Sequence, residues 1–394
     1  MKHIMLIAGE ASSDFHGACL AREIFSLSQN IRITGMGGQA MVKAGVEVVF
    51  GFSDLSAIGI VEVLGKIPSG FKRLEQVVAF LKEEKPEVLV VIDFPEFNIR
   101  LGKIASNMGI TSIYYFPPTV WLWRKKRANT IARYFKKVIC VFPFEAEVFK
   151  NAGAKVAFFG HPLLDEIKPS RQKEMICNDL NSGKHAGLPL FDPDSRVLGI
   201  LPGSRKGEIK RLLPVMLEAT GKLLKKFPDI QPVIVLAPTI EDRDVLPYLE
   251  SVSFKPILLK GNTYDVLNIC HLVLIASGTA TLEAACLGVP MIILYKLNWL
   301  TYLLGKLLIR IPFIGLPNII AGKEVVPELV QTKASVRNVV DLASIFLKDD
   351  HARIIVQKNL AEVRKKLGCC GATKKAAGLI LEMAMNNYEK GIRE

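Results

Sequence analysis

FKRLEQVVAFLKEEKPEVLVVIDFPEFN, residues 71–98, decides how this chain must fold. Its first half has the apolar spacing of an amphipathic helix, and its second half contains VLVVI, an unbroken apolar run between Pro86 and Pro95. A strand without polar alternation is covered on both faces, which is the habit of a parallel sheet. The same unit recurs on either side. HIMLIAG leads into DFHGACLAREIFSL, IRITGMGG follows, IRLGKIASNMG leads into TSIYYFP, and KKVICVFP and VAFFGHP close the series. The pattern then restarts with SRVLGILPGSR, a helix from about Glu208 to Lys226, QPVIVLAP, KPILLKG, HLVLIASG and VPMIILY. Between the two series lies KPSRQKEMICNDLNSGKHAGLPLFDPDS, polar and rich in turn formers, which reads as a linker. The fold class is therefore α/β, with two Rossmann-like doubly wound domains. Such sheets bind ligands beyond the carboxyl ends of their strands, so a substrate cleft between the halves is expected.

The 394 residues suit two or three domains at roughly 150 each. Half are apolar and 23% charged, enough to bury a core and too apolar for disorder. A formal charge of +13 favours anionic partners. The basic residues are not gathered in one tail, and no DNA- or RNA-reading motif is present, so phosphorylated substrates or an anionic lipid surface fit better than nucleic acid. The seven cysteines are scattered, with Cys369–Cys370 the one close pair and no CxxC, which fits reduced cytosolic thiols and no zinc site. MKHIMLIAGEASSD reads as a first strand and not a signal peptide, because Glu10 and Asp14 interrupt a short apolar run.

One stretch departs from a plain α/β pattern: PMIILYKLNWLTYLLGKLLIRIPFIGLPNII, residues 290–320. Lys296, Lys306 and Arg310 deny it the ~20 apolar residues of a membrane span. With Trp299 and Tyr302 they suit a segment lying at a lipid interface, and a buried strand followed by a core helix is the alternative. AIGIVEVLGKIPSGF, residues 57–71, carries the same ambiguity.

SGTATLEAACLGVP (277–290) takes a strand straight into a helix. The free N–H groups of such a helix start favour an anion, Gly278 allows close approach, and Ser277 and Thr279 add hydroxyls. Glu283 lies one turn on. It is not the acid of a capping box, which needs Ser or Thr three residues earlier where this chain has Ala280. It is placed instead to accept hydrogen bonds from ribose. LPGSRKGEIKR (201–211) is a second such junction, where Gly203 and Ser204 open the turn and Arg205 can grip a diphosphate. GEASSDFHGA (9–18) lacks the nicotinamide fingerprint, but Glu10, Ser12, Asp14 and His16 could line a site for a sugar or phosphate. Asp93 ends an apolar strand, where a carboxylate could take a proton from an attacking hydroxyl, with Glu96 and Asn98 near enough to orient a substrate. His161 in FGHPLLD reads either as a hinge residue or as a ligand of the site.

Together, GEASSD, GMGG, VIDFPEFN, YYFPPTVWLWRKKR, FPFEAEVF, GHPLLDE, LPGSRKGEI, ASGTATLEA, LPNIIAG and VPELVQ run in order through nearly the whole chain. They resemble the lipid-A-disaccharide synthases, glycosyltransferases of the GT-B type. The resemblance implies an acceptor domain over 1–168, a UDP-sugar donor domain over 169–364, and a helical segment, 365–394, packing back on the first. It implies transfer of 2,3-diacylglucosamine from UDP to the 6-hydroxyl of 2,3-diacylglucosamine 1-phosphate, with inversion, to a β-1,6-linked disaccharide 1-phosphate. Asp93 would be the base, Arg205 the diphosphate-binding arginine and Glu283 the ribose reader, with Asn318 and Gln331 near the donor. It implies no cofactor and no metal. A protein handling two acylated substrates is expected in the cytoplasm, peripherally on the anionic inner membrane face, and a homodimer is compatible with the sequence. The same nucleotide cradle would also serve a UDP-N-acetylglucosamine 2-epimerase or a peptidoglycan-type transferase. Ser13 stands where the family usually has Gly, and FPEFN replaces APDFN.

Overall fold

A computed structural model of the chain describes residues 1–52, 60–118, 125–167, 195–261, 263–299 and 312–391. The chain divides into two units, Met1–Asp165 with Leu367–Glu394, and Glu166–Lys366.

The first unit holds strands β1 (Lys2–Ala8), β2 (Ile31–Met36), β3 (Glu47–Phe50), β4 (Val88–Ile92), β5 (Thr111–Tyr115), β6 (Lys137–Cys140) and β7 (Val156–Phe158). They form one sheet in the order β3-β2-β1-β4-β5-β6-β7, and every neighbouring pair is parallel. Helices α1 (Ala11–Leu27), α2 (Gln39–Lys43), α3 (Ile60–Glu84), α4 (Pro95–Asn107), α5 (Lys125–Tyr134) and α6 (Pro143–Asn151) lie between them. Alternate residues of a strand face opposite sides, and β1 feeds both. Ile4 and Leu6 join Leu20, Ile24, Ile380 and Ala384, while Met5 and Ile7 join Leu89, Val91, Leu101, Tyr114 and Phe149. The C-terminal helix, Ala372–Gly391, thus covers the face shared with α1, and the Asp165 carboxylate accepts the Gly371 and Thr373 N–H groups at its start.

The second unit holds β8 (Arg196–Leu201), β9 (Ile230–Leu236), β10 (Ile257–Lys260), β11 (Cys270–Ala276), β12 (Met291–Tyr295) and β13 (Glu328–Val330), in the order β10-β9-β8-β11-β12-β13, again parallel. Its helices include α7 (Lys206–Lys226), α8 (Thr263–Ile269), α9 (Thr279–Cys286), α10 (Leu316–Ala321), α11 (Val336–Lys348) and α12 (Asp350–Lys366).

Of the 290–320 stretch, Met291–Leu294 are the buried residues of β12, so this part is sheet and not a surface segment. Trp299 is exposed. Tyr302, Lys306 and Arg310 lie outside the described residues, as do residues 57–59 and most of the 168–195 stretch. Among the described residues no helix is long and apolar enough to cross a membrane.

Candidate active site

The strand order of the first sheet reverses direction between β1 and β4, the point where an open α/β sheet leaves room for a ligand. Glu10 follows β1 and Asp93 follows β4, so the two acids meet there. Their carboxyl groups come within hydrogen-bonding reach, and the Asp93 carboxyl is pushed up to about 7, first by burial and then by the Glu10 charge. No described Lys, Arg or His forms an ion pair with either. Asp93 and Phe94 both have left-handed backbone, φ 49 and 45. Each such non-glycine residue costs about 1 kcal/mol or more, and the surroundings must hold it. They do so here. The Asp93 carbonyl accepts from Asn98 Nδ2 at 2.6 Å and from Tyr114 Oη at 2.8 Å, and the Phe94 ring packs on Gly9, where a Cβ would sit 2.2 Å from it.

Asn98 is fully buried and its Nδ2 also reaches the Ile92 carbonyl, so it holds the Asp93 turn, while its Oδ1 has no hydrogen-bond partner among the described residues. Asp14 is likewise turned to backbone groups. Its buried carboxylate accepts the N–H groups of Gly38, Ala40 and Met41 at 2.7, 3.0 and 3.2 Å, capping α2 across the glycine-rich loop. Glu96 is exposed and paired with Arg127. Ser12 donates to Glu10 Oε1 at 2.8 Å, and Ser13, the residue that replaces Gly, exchanges hydrogen bonds with the Glu10 backbone. His16 stacks on Phe116 with ring centroids 4.0 Å apart. His161 is buried against Phe142 and Phe116, and its Nδ1 accepts the Leu163 N–H at 3.1 Å. Burial pulls His16 down to about 4, and burial followed by the His16 charge pulls His161 down to about 3, so both rings are neutral at physiological pH.

In the second sheet the reversal lies between β8 and β11, which brings LPGSR and SGT side by side. Gly203 takes φ +117, as the turn requires. The N–H groups of Ser204 and Arg205 do not stay open for an anion, however. Glu208 Oε2 accepts both, at 2.9 and 3.2 Å, so the cradle expected here is filled by the chain's own carboxylate. Arg205 remains free to act through its side chain, which is 70% exposed and 3.9 Å from Glu208. The SGT junction differs. α9 starts at Thr279 behind Gly278 with no side-chain cap, Ser277 Oγ donates to the Ile314 carbonyl, and Thr281 Oγ1 donates to the Gly278 carbonyl. Glu283 is largely buried, no described residue hydrogen-bonds to its carboxylate, and burial raises its pKa. A ligand hydroxyl would satisfy it.

Asn318 and Gln331 spend their side-chain amides on the chain itself. Asn318 is fully buried with its amide spent: Oδ1 accepts Val325 and Val326 N–H, and Nδ2 donates to the Val326 carbonyl and Glu328. Gln331, at φ 54, pairs with both backbone groups of Leu297 at 2.8 and 3.3 Å. Asn318 holds the chain that enters β13, and Gln331 ties the residue after β13 to the loop that leaves β12. Three acids escaped the sequence reading. Glu208 and Glu328 saturate loop N–H groups, the latter at Ile314 and Gly315. Glu145, in the first turn of α6, is 1% exposed, has Oε2 without a partner, and is pushed up to about 8, chiefly by burial. The Pro-x-Glu start of that helix was a usable signal for an acid at a helix N-terminus, but its burial was not written locally. Among the described residues no group of His, Cys, Asp or Glu could hold a metal ion.

Residues 4–381 match the family model described as Lipid-A-disaccharide synthetase. The chain is 41% identical to the Lipid-A-disaccharide synthase of Geobacter sulfurreducens, over 96% of this chain and 97% of that one. Among solved structures, the UDP-GlcNAc 2-epimerase from Neisseria meningitidis bound to UDP-GlcNAc aligns with TM-score 0.64 at 14% identity, covering 97% of this chain and 100% of that one. The calicheamicin glycosyltransferase aligns with TM-score 0.61 at 14% identity, covering 97% and 98%. Likeness at that identity concerns the fold, which is GT-B.

Proposed function

The chain belongs to the lipid-A-disaccharide synthase family, and from that premise we propose that it joins two acylated glucosamines. The donor is UDP-2,3-diacylglucosamine and the acceptor is 2,3-diacylglucosamine 1-phosphate. The acceptor 6-hydroxyl attacks the anomeric carbon, its proton passes to the Asp93 carboxylate, and the bond to the UDP oxygen breaks with its electrons. One displacement inverts the configuration and gives the β-1,6-linked disaccharide 1-phosphate and UDP. The observation that carries this reading is the Glu10–Asp93 pair. A carboxyl raised to about 7 is ionised often enough to accept a proton near neutral pH and basic enough to want it.

The leaving diphosphate is stabilised by the Arg205 side chain and the uncapped start of α9, and Glu283 accepts from the ribose hydroxyls. Fixed donors and cations of this kind do the work without a metal or a cofactor. Both substrates carry acyl chains, so the enzyme works peripherally at the cytoplasmic face of the inner membrane, drawn to anionic lipid by its charge of +13. The test is purified protein with both substrates and mass spectrometry of the lipid product. The expected result is an acylated disaccharide phosphate with one UDP per transfer. Turnover of unacylated UDP-N-acetylglucosamine in its place, or no disaccharide, would overturn the proposal.

A further inference from the structure

The donor half holds more positive charge at its strand ends than the reading above uses. Arg211 lies one turn after Gly207 on α7. Helical side chains lean toward the N-terminus, and its guanidinium lies so close over Gly207 that a Cβ there would be 2.9 Å from Nη2. Glycine thus lets Arg211 fold back to the end of the helix where Arg205 sits. The neighbouring cation, Lys206, is drawn off by Asp244 at 2.8 Å. Glu208, the acid in the first turn of α7, accepts the N–H groups of Ser204 and Arg205. No described residue forms an ion pair with Arg211.

A second element comes from the other side of β11. Tyr295 is the last residue of β12, two strands from β8, and its phenol lies within electrostatic reach of Glu208, Arg205 and Arg211. It is half-buried, and among the described residues its hydroxyl has no hydrogen-bond partner. The chain that follows it is fixed, because Gln331 clamps Leu297. Two guanidiniums and a hydroxyl without a hydrogen-bond partner among the described residues therefore lie within electrostatic reach of one another at the ends of β8 and β12.

We propose that Arg211 and Tyr295 complete, with Arg205, a subsite for the diphosphate of a nucleoside diphosphate donor. Arg211 supplies a second cation, and Tyr295 donates its hydroxyl to a phosphate oxygen. The inference rests on the donor reading above and is tested apart from it by titrating UDP and uridine calorimetrically into the full chain and its variants. Arg211→Met is expected to weaken UDP about tenfold and Tyr295→Phe several-fold, with uridine binding unchanged, since uridine has no phosphate. Arg211→Lys keeps most of the affinity. Gly207→Val keeps every charge but displaces the guanidinium, and weakens UDP like Arg211→Met, with melting curves showing that each variant is folded. Wild-type affinity for UDP in Arg211→Met and Tyr295→Phe, beside a loss in Arg205→Met, would overturn this inference and leave the donor reading standing. A wild-type chain that binds UDP no better than uridine would remove both.

Discussion

Replacing Glu10 by Gln separates the two causes that raise Asp93. Burial comes first, and the Glu10 charge with its carboxyl contact comes after it. The substitution keeps the size of the side chain and leaves an acceptor for Ser12, but removes the negative charge and offers an N–H to Asp93. Both changes favour the Asp93 carboxylate, so its pKa must fall from about 7, though not to the ordinary 3.8, because the burial is untouched. If burial accounts for the larger part, the fall is about one pH unit, or about 1.4 kcal/mol. In the wild type, kcat/KM should bend down on the acid side near pH 7, leaving about a tenth of the base ionised at pH 6. In Glu10→Gln the bend moves to about pH 6, where half would be ionised. The plateau at pH 8 to 9 should be lower than in the wild type, because the base is weaker. The assay is kcat/KM for the acceptor from pH 5 to 9 with donor saturating. An unmoved or upward-shifted acid limb in a folded Glu10→Gln protein would refute the idea that the two carboxyls share their charge.

Three further outcomes follow from single side chains. Glu145 is protonated up to about 8 in the folded chain and ionises near 4.5 when unfolded, so folding takes up a proton between those values. Stability from this group is therefore full below about 4.5 and is lost as pH rises toward 8, and Glu145→Gln should melt progressively higher than the wild type from pH 5 to 8; equal melting temperatures throughout would be fatal to this account. Asn98→Leu should lower kcat at least tenfold without altering UDP affinity, because it frees the Asp93 backbone, and should cost about 1–3 kcal/mol in urea unfolding. Glu283→Gln should weaken UDP and uridine alike by about tenfold, since both carry the ribose, and a loss confined to UDP would take the ribose role away from it.

The two sheets were legible because VLVVI and its equivalents are continuous apolar runs, and only a strand covered on both faces can afford them. The ends of those runs located the polar residues of interest equally well. What local spacing could not show is which way each polar side chain turns. Asp14 looks as available to a ligand as Glu10 does, yet it caps a helix start 24 residues further on. Asn318 and Gln331 are donor-side residues in the resemblance, yet their amides replace backbone partners for Val325, Val326 and Leu297. Each of these contacts is made across loops and is invisible to periodicity.

The distinction has a chemical consequence for the donor half. A side chain that satisfies loop N–H groups removes them from the set that could meet a ligand. Glu208 does so at the end of β8, whereas at the end of β11 the residue in the capping position is Gly278, which has nothing to give. The two junctions that look equivalent in sequence are therefore not equivalent as anion sites. The backbone N–H groups of Gly278 and Thr279, since that of Ser277 is bonded to the Leu294 carbonyl, and side chains alone at LPGSR, are what an incoming diphosphate would find, which is why the second cation and the Tyr295 hydroxyl, unpartnered among the described residues, matter.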